Sequence, residues 1–450
     1  RGQRSLARRQ CTGSARVGAT PGVRFSYSPS VHEMPAPLSQ THSPRSEGVL
    51  FTAFEPSGDD HAASAVAELR KRRPDLAVYA WGGPKMEAAG AVLIGRTGEK
   101  AVMGLPGPSK IAEHFAIQRT IRRWLLQRLA TVHVPVDSPA ANFPICKLTR
   151  EAGMTILHLV APQMWAWGAW RVKKLRKLTD KVLCLLPFEE DWFKQRGIAA
   201  RFIGHPLFDD PLDVDTLRLL SERARAFEPP EGIGPTPSLR LALMPGSRPG
   251  ELRASFPRLL DAFNRLLKDF PSIAGVIAAT NADVARDLRD RARTLGGWPV
   301  RLGMAVGETD AAIRWCDFAL VVSGTVTLQI ARQAKPMATF YCPNPWTYHL
   351  IARWLVETDH YTLPNLIAGK RIVPELIPYM RRDGEDLALE VLKYMRRTGY
   401  ADDQRSELSR LRKRFEGTHA AGAAAEEILL ALDASSAHAG LGPVALAALR

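Results

Sequence analysis

A chain of 450 residues, 46% hydrophobic and 24% charged, exceeds one ordinary domain and has the composition of a globular protein able to build two cores. No apolar run approaches the ~18 residues of a membrane-spanning helix. The five cysteines (Cys11, Cys146, Cys184, Cys316, Cys342) form no C-x-x-C pair, which argues against a zinc site or a disulfide framework. The net charge of +15, with seven Arg against two Glu in the first 48 residues, calls for an anionic partner: nucleic acid, an acidic bilayer or phosphorylated substrates.

Residues 1–47 are rich in Arg, Ser, Pro and Gly and carry no acid before Glu33. They read as a disordered or targeting extension, without the apolar centre of a secretory signal. From Gly48 onward short apolar runs alternate with helical periodicities. Strands are expected at 48–54, 76–81, 132–136, 156–160 and 181–186, with helices over 62–73 and 111–129 between them. Beyond Gly204-His205-Pro206-Leu207 and a Pro/Gly-rich stretch at 229–237, a second series begins. It has a strand at 239–244 and a helix with Phe256, Leu259, Leu260, Phe263, Leu266 and Leu267 on one face. Strands at 275–279, 318–322 and 337–341 follow, then closing helices over 386–432 and a frayed tail at 433–450. Strands separated by helices indicate parallel sheets. The expected α/β architecture is two doubly wound Rossmann-like domains, 48–207 and 208–432, facing across a cleft, with ligands at the carboxyl ends of the strands.

Two turns of the second domain suit phosphate. Gly246, Ser247 and Arg248 follow a strand, where glycine allows close backbone approach and arginine supplies charged donors. Ser323, Gly324 and Thr325 repeat the pattern, with Ser323 placed to cap the next helix and Gln329 one turn further along it. Two such turns fit a nucleoside diphosphate better than either does alone. In the first domain Glu55-Pro56-Ser57-Gly58-Asp59 follows the opening strand but lacks G-x-G-x-x-G, so NAD is not expected. Asp137, at a strand end, suits a general base for a sugar hydroxyl and equally suits a turn cap. No acidic pair with Asp-x-Asp spacing closes a strand, so neither a metal nor a cofactor is expected.

Two basic stretches suit a surface. Ile117, Ile121, Trp124, Leu125 and Leu129 follow helical spacing between Arg119, Arg122, Arg123 and Arg128. That is the pattern of a helix lying on an anionic bilayer, or of one packed on its own sheet. Met164-Trp165-Ala166-Trp167 precedes Trp170, Arg171, Lys173, Lys174, Arg176 and Lys177. Aromatics beside basic residues suit nucleic acid or a membrane interface. Nothing matches an RNA-binding module, so the interface leads and no nucleic-acid partner is expected.

In chain order the motifs are Glu55-Pro56-Ser57-Gly58-Asp59, Gly82-Gly83 with Met86, Met103-Gly104, Asp137-Ser138-Pro139, Trp165-Ala166-Trp167 with Arg171, and Pro187-Phe188-Glu189. Gly204-His205-Pro206-Leu207, Pro245-Gly246-Ser247-Arg248, Ser323-Gly324-Thr325 and residues 363–369, from Leu363-Pro364-Asn365 to Gly369, complete them. This ordered set resembles the lipid-A-disaccharide synthase family from about residue 48 to about residue 394. The resemblance implies a GT-B fold and an inverting glycosyltransferase. Its donor would be UDP-2,3-diacylglucosamine, its acceptor 2,3-diacylglucosamine 1-phosphate, and its product a β-1,6 disaccharide. It also implies a cytoplasmic protein peripheral on the inner face of the cytoplasmic membrane, with a homodimer allowed for. Carried over by motif, the catalytic positions are Asp137, Glu55 and Ser57. The donor-binding set is Gly246, Ser247, Arg248, Ser323, Gly324, Thr325, Gln329 and Asn365, and the membrane or acyl contacts are Trp124, Trp165, Trp167 and Arg171. Two departures stand out. The family's Asp-x-Pro-Asp-Phe-Asn reads Asp137-Ser138-Pro139-Ala140-Ala141-Asn142-Phe143 here, and its glutamate after Ser-Gly-Thr is Gln329. A catalytically silent lipid-sugar-binding relative and another GT-B UDP-sugar transferase are the alternatives.

Overall fold

Strand β1 (Gly48–Ala53) is buried along its whole length, as a strand must be when both faces of its sheet are covered. It lies within a seven-stranded sheet with β2 (Ala77–Gly82), β3 (Val92–Arg96), β4 (Val132–Val136), β5 (Thr155–Leu159), β6 (Lys181–Cys184) and β7 (Ala200–Phe202). The order is β3-β2-β1-β4-β5-β6-β7. A six-stranded sheet holds β8 (Leu239–Met244), β9 (Ile273–Ala279), β10 (Leu302–Val306), β11 (Phe318–Val322), β12 (Met337–Phe340) and β13 (Glu375–Leu376), in the order β10-β9-β8-β11-β12-β13. Every pairing is parallel. This computed structural model describes residues 47–97, 108–166, 168–210, 212–229, 235–343 and 358–439. Of the expected extension over 1–47 all but Glu47 lies outside them, as do Met103-Gly104, Trp167 and residues 440–450 of the expected frayed tail, whereas residues 433–439 of that tail are helical.

Each sheet reverses its strand order once, between β1 and β4 and between β8 and β11. Such a reversal opens a crevice at the carboxyl ends of the two strands, because the chain leaves them in opposite directions. On the second sheet α8 (Pro249–Asp269) buries Phe256, Leu259, Leu260, Phe263 and Leu266, the face expected from its periodicity, against Phe318 and Phe340. The other face is covered by α10 (Thr309–Trp315), α11 (Val326–Arg332) and α14 (Tyr400–Lys413), through Ile313, Leu328, Ile330, Leu408 and Leu411. The two doubly wound sheets are the architecture read from the sequence.

Four strands escaped that reading: β3, β7, β10 and β13. They are the outer strands of the two sheets. An edge strand has a neighbour on one side only, and these four carry partly exposed positions in place of a continuous apolar run. Hydropathy alone therefore marks the interior strands and passes over the edges.

The amphipathic stretch at 117–129 forms the second half of α3 (Pro108–Leu125) and the turn after it. Its apolar face is turned inward. Ile117, Ile121 and Trp124 are buried, Trp124 meeting Leu50 and Met154 and stacking edge-on with Tyr79 at 5.1 Å. Trp124 is thus a core residue, contrary to the membrane contact expected of it, because the helix uses its apolar stripe to cover its own sheet. The outward face keeps Arg119, Arg122 and Arg123, with Phe115 and Leu126 65% and 80% exposed.

The chain leaves the first sheet at Gly204, whose φ of +89° favours glycine and where a Cβ would stand 2.4 Å from Thr418 Oγ1. The expectation that all closing helices complete the second domain meets a difference at the last of them. Helix α15 (Ala420–Ala439) returns to the first sheet, placing Ala424, Ala425, Ile428 and Leu432 in one core with Val49, Phe51, Ala62 and Val66. The Asp209 carboxylate accepts from the first N–H groups of this helix, Ala420 N at 2.7 Å and Ala421 N at 3.2 Å. Glu427, almost fully buried, pairs with Lys181 of β6 at 2.7 Å and Arg201 of β7 at 2.8 Å. Ile428→Ala should destabilise the first domain by about 2–5 kcal/mol, the range for emptying a buried aliphatic site. The check is a denaturant titration followed by a probe in the first sheet; an unchanged midpoint would place α15 outside that core.

Candidate active site

At the first crevice the chain leaves β4 through Asp137 and Ser138, both left-handed with φ of 46° and 37°. Two consecutive non-glycine residues there cost about 1–3 kcal/mol each unless their surroundings hold them. Asn142, on α4 (Pro139–Glu151), is the holder. Its amide donates to the carbonyls of Val136 at 3.0 Å and Asp137 at 2.8 Å, and its Oδ1 accepts from Thr52 Oγ1 of β1 at 2.6 Å. Thr52 Oγ1 also lies 2.9 Å from His133 Nε2, and His133 Nδ1 lies 2.8 Å from Thr149 Oγ1. Thr52 has one proton, given to Asn142, so His133 donates from Nε2 and accepts from Thr149 at Nδ1. Burial keeps that imidazole neutral by pushing its pKa down to about 3.

Glu55 closes β1 opposite this turn and accepts from Ser138 Oγ at 2.8 Å, which ties the ends of β1 and β4 together. Burial raises the Asp137 carboxyl above its usual range; the Ser138 backbone N–H opposes that rise and the Glu55 charge adds to it. Ser57 is exposed in the first turn of α1 (Pro56–Arg72), two residues on. Sequence reasoning thus brought Glu55, Ser57 and Asp137 to one crevice. It passed over Asn142, Thr52 and His133, whose pairing across 81 and 90 residues no local pattern reveals. Asp59, last residue of the same motif, is structural. Its carboxylate accepts from the backbone of Gly83, Lys85 and Met86 at 2.9–3.2 Å, and a Cβ on Gly83 would come within 2.4 Å of it.

At the second crevice Gly246 has φ +93°, and a Cβ there would stand 2.7 Å from Glu251 Oε2. That carboxylate is approached at 3.4 Å by the N–H groups of Ser247 and Arg248, while Arg248 Nη1 pairs with Glu251 Oε1 at 2.9 Å. An acidic side chain thus occupies the anion-binding face of the turn. The Arg248 side chain remains 63% exposed. Across from it, Ser323 does not cap α11 as expected. Its N–H donates to Phe340 O at 2.9 Å and its hydroxyl to Tyr361 O at 3.4 Å, and Thr325 takes the cap position. Gly324 and Thr325 are exposed, and their N–H groups have no acceptor among the described residues. The Gln329 side chain, half-buried on α11, makes no hydrogen bond to any described residue.

Two expected contacts lie elsewhere. Asn365 is fully buried on α12 (Leu363–Ala368), where its Oδ1 accepts from Ile372 N at 2.7 Å and Val373 N at 2.9 Å and its Nδ2 donates to Val373 O at 2.9 Å. Its amide clamps a turn and is not presented as a donor-binding group. Trp165 is buried, not offered to a membrane. Its Nε1 donates to Glu189 at 2.9 Å, and its ring meets Phe188 edge-on and packs with Leu186 in the core that holds Met244 of the second sheet. Arg171 is half-buried, its Nε 3.5 Å from Gly168 O. Replacing Asn365 with alanine would strand two N–H groups and a carbonyl in the interior. The expected loss is on the order of 3 kcal/mol, read as a lower denaturant midpoint for the second domain; an unchanged midpoint would free Asn365 for a ligand role.

Residues 49–428 match the model of the family described as lipid-A-disaccharide synthetase. A lipid-A-disaccharide synthase of Myxococcus xanthus is 32% identical over 86% of this chain and 98% of its own. One of Pseudomonas aeruginosa is 34% identical over 73% of this chain and 84% of its own. Among solved structures, the calicheamicin glycosyltransferase superposes with a TM-score of 0.55 at 14% identity, covering 86% of this chain and 99% of that one. A UDP-GlcNAc 2-epimerase of Neisseria meningitidis, solved with UDP-GlcNAc, gives 0.53 at 12% identity over 86% and 100%. These two show the fold, GT-B. The family match and the relatives go further: this chain belongs to the lipid-A-disaccharide synthase family and is a glycosyltransferase of lipid A biosynthesis.

Proposed function

We propose that the chain transfers 2,3-diacylglucosamine from its UDP donor to the 6-hydroxyl of 2,3-diacylglucosamine 1-phosphate, with inversion, giving the β-1,6 disaccharide and UDP. The observation that carries this reading is the pairing of crevices: a carboxylate with a raised pKa at one strand reversal, and at the other two phosphate-type turns, one with exposed N–H groups at Gly324 and Thr325 and one whose donors are held by Glu251. Asp137 takes the proton of the 6-hydroxyl, and the freed oxygen attacks C1 of the donor sugar from the face opposite UDP. The bond from C1 to the diphosphate oxygen breaks and its electron pair leaves with UDP. Arg248 and the N–H groups of Gly324 and Thr325 are donors aimed at that developing charge. Glu55 and Ser57 flank the acceptor, and Gln329 offers an amide oxygen and an NH₂ to the ribose hydroxyls.

No helix of the described residues is long and apolar enough to cross a membrane. Acylated substrates favour a protein resting on an anionic bilayer, and the outward face of α3, with its arginines between Phe115 and Leu126, is the surface suited to it. Flotation should recover the protein with anionic vesicles and lose it as salt rises; equal recovery with neutral vesicles would contradict this.

As general base, Asp137 works only when ionised, so turnover should fall as pH drops through its raised pKa, above the ordinary carboxylate range. Glu55→Gln keeps an acceptor for Ser138 but removes the like charge, so this acid limb should move to lower pH. Asp137→Asn should reduce turnover by ~10²–10⁴-fold with donor binding near normal. A pH–rate profile unmoved by Glu55→Gln, or wild-type turnover in Asp137→Asn, would assign the proton to another group.

A further inference from the structure

The carboxyl end of β5, next to β4 in the sheet, continues through a 3-10 turn (Ala169–Arg171) into α5 (Val172–Leu178). Trp170, Lys173, Lys174 and Lys177 are spaced i, i+3, i+4 and i+7, so they form one stripe. All four are exposed, the indole 62%. Neither these three lysines nor Arg176 makes an ion pair among the described residues, whereas Glu151, Asp180 and Glu190 already hold Lys147, Arg150 and Lys194. The stripe is therefore an unneutralised positive surface beside a large apolar ring. One lysine is also positioned: Lys174 Nζ lies over the Phe143 ring at 5.1 Å from its centroid. Phe143 is buried in the first turns of α4, under Ala161, Met164 and Val172. Four residues of helix, about 6 Å, separate it from Pro139, which directly follows the Asp137–Ser138 turn.

We propose that Lys173 and Lys174, with Trp170 as an apolar wall, bind the phosphate monoester of the acceptor sugar whose hydroxyl is held at Asp137. The inference rests on the reading of Asp137 as the acceptor-side base. A phosphate monoester carries most of two charges at neutral pH, and ammonium groups on flexible stems answer it as mobile point charges. No other expected site residue supplies a cation to the first crevice: Arg248 belongs to the second, and Arg171 turns toward Gly168. The same positive surface would also attract the phosphates of a bilayer, so the test separates the two sources.

Lys173→Gln combined with Lys174→Met removes both charges while leaving an aliphatic stem over Phe143, and Lys174→Arg keeps the charge. Transfer is measured in neutral detergent micelles with the 1-phosphate acceptor and with its dephosphorylated form. The double variant should raise KM for the phosphorylated acceptor roughly 10–100-fold, as expected for losing charge-assisted hydrogen bonds. Donor KM, and KM for the dephosphorylated acceptor, should stay unchanged, and Lys174→Arg should retain most of the wild-type affinity. An equal rise with both acceptors would overturn the proposal. So would an unchanged KM accompanied by lost flotation on anionic vesicles, which would assign the stripe to the bilayer. Equilibrium binding of the 1-phosphate acceptor to the same proteins decides the point even where no transfer occurs. Wild type that transfers nothing sinks the enzymatic reading, whereas binding unaltered by the double variant sinks this one.

Discussion

The first crevice depends on one amide. Asn142 bonds the carbonyls of Val136 and Asp137 from below and the hydroxyl of Thr52 from the side, and through it β1 and β4 share a single polar core. Without that anchor two adjacent left-handed residues would relax toward ordinary backbone, and the Asp137 carboxylate would lose its fixed orientation in the crevice. The network is buried and extends through His133 to Thr149, so it behaves as a rigid unit: each partner is satisfied only while the others remain in place. The tie from Ser138 to Glu55 then carries the position of this turn across the reversal, to the end of β1.

The second crevice is held by a weaker arrangement. Glu251 sits over the Gly246–Arg248 turn with contacts of 3.4 Å from two N–H groups, long for charge-assisted bonds. A diphosphate carries more charge and more acceptor oxygens than one carboxylate, so it can compete for those donors and for Arg248. Gln329 adds no charge of its own. In the proposed mechanism the donor side is therefore a turn with a replaceable internal anion, whereas the acceptor side is a fixed acid. Trp165, bonded to Glu189, shares one core with Met244 and so joins the first domain's strand ends to the second domain's core.

Interior strands, the apolar face of α8 and both strand-end turns were legible in the sequence because each leaves a local signature: a continuous apolar run, a 3.6-residue period, or a glycine beside a polar donor. What stayed hidden depends on partners far along the chain. The outer strands β3, β7, β10 and β13 lack the double cover that makes a strand conspicuous. Trp124 and Trp165 have the composition of membrane anchors and are buried all the same, because burial of an amphipathic face is decided by whether a sheet lies beneath it. Asn365 stands in a motif shared with the family, yet the structure uses its amide to clamp residues 372 and 373. Helix α15 reads as a closing element of the second domain, until its Ile428 and Leu432 are found in the core of the first.

The central claim is that this site, with an amide at position 329, transfers the acylated sugar. Replacing a charge-assisted hydrogen bond by a neutral one weakens it by about 1 kcal/mol, a change in affinity rather than in mechanism. The direct measurement incubates the purified protein with both acylated sugars over a range of donor concentrations, beside Gln329→Glu, and follows UDP and disaccharide. The wild type should release both in equal amounts, and Gln329→Glu should reach half-saturation at a roughly five-fold lower donor concentration. A wild type silent at saturating donor, with Gln329→Glu equally silent, would leave a lipid-sugar-binding protein in place of an enzyme.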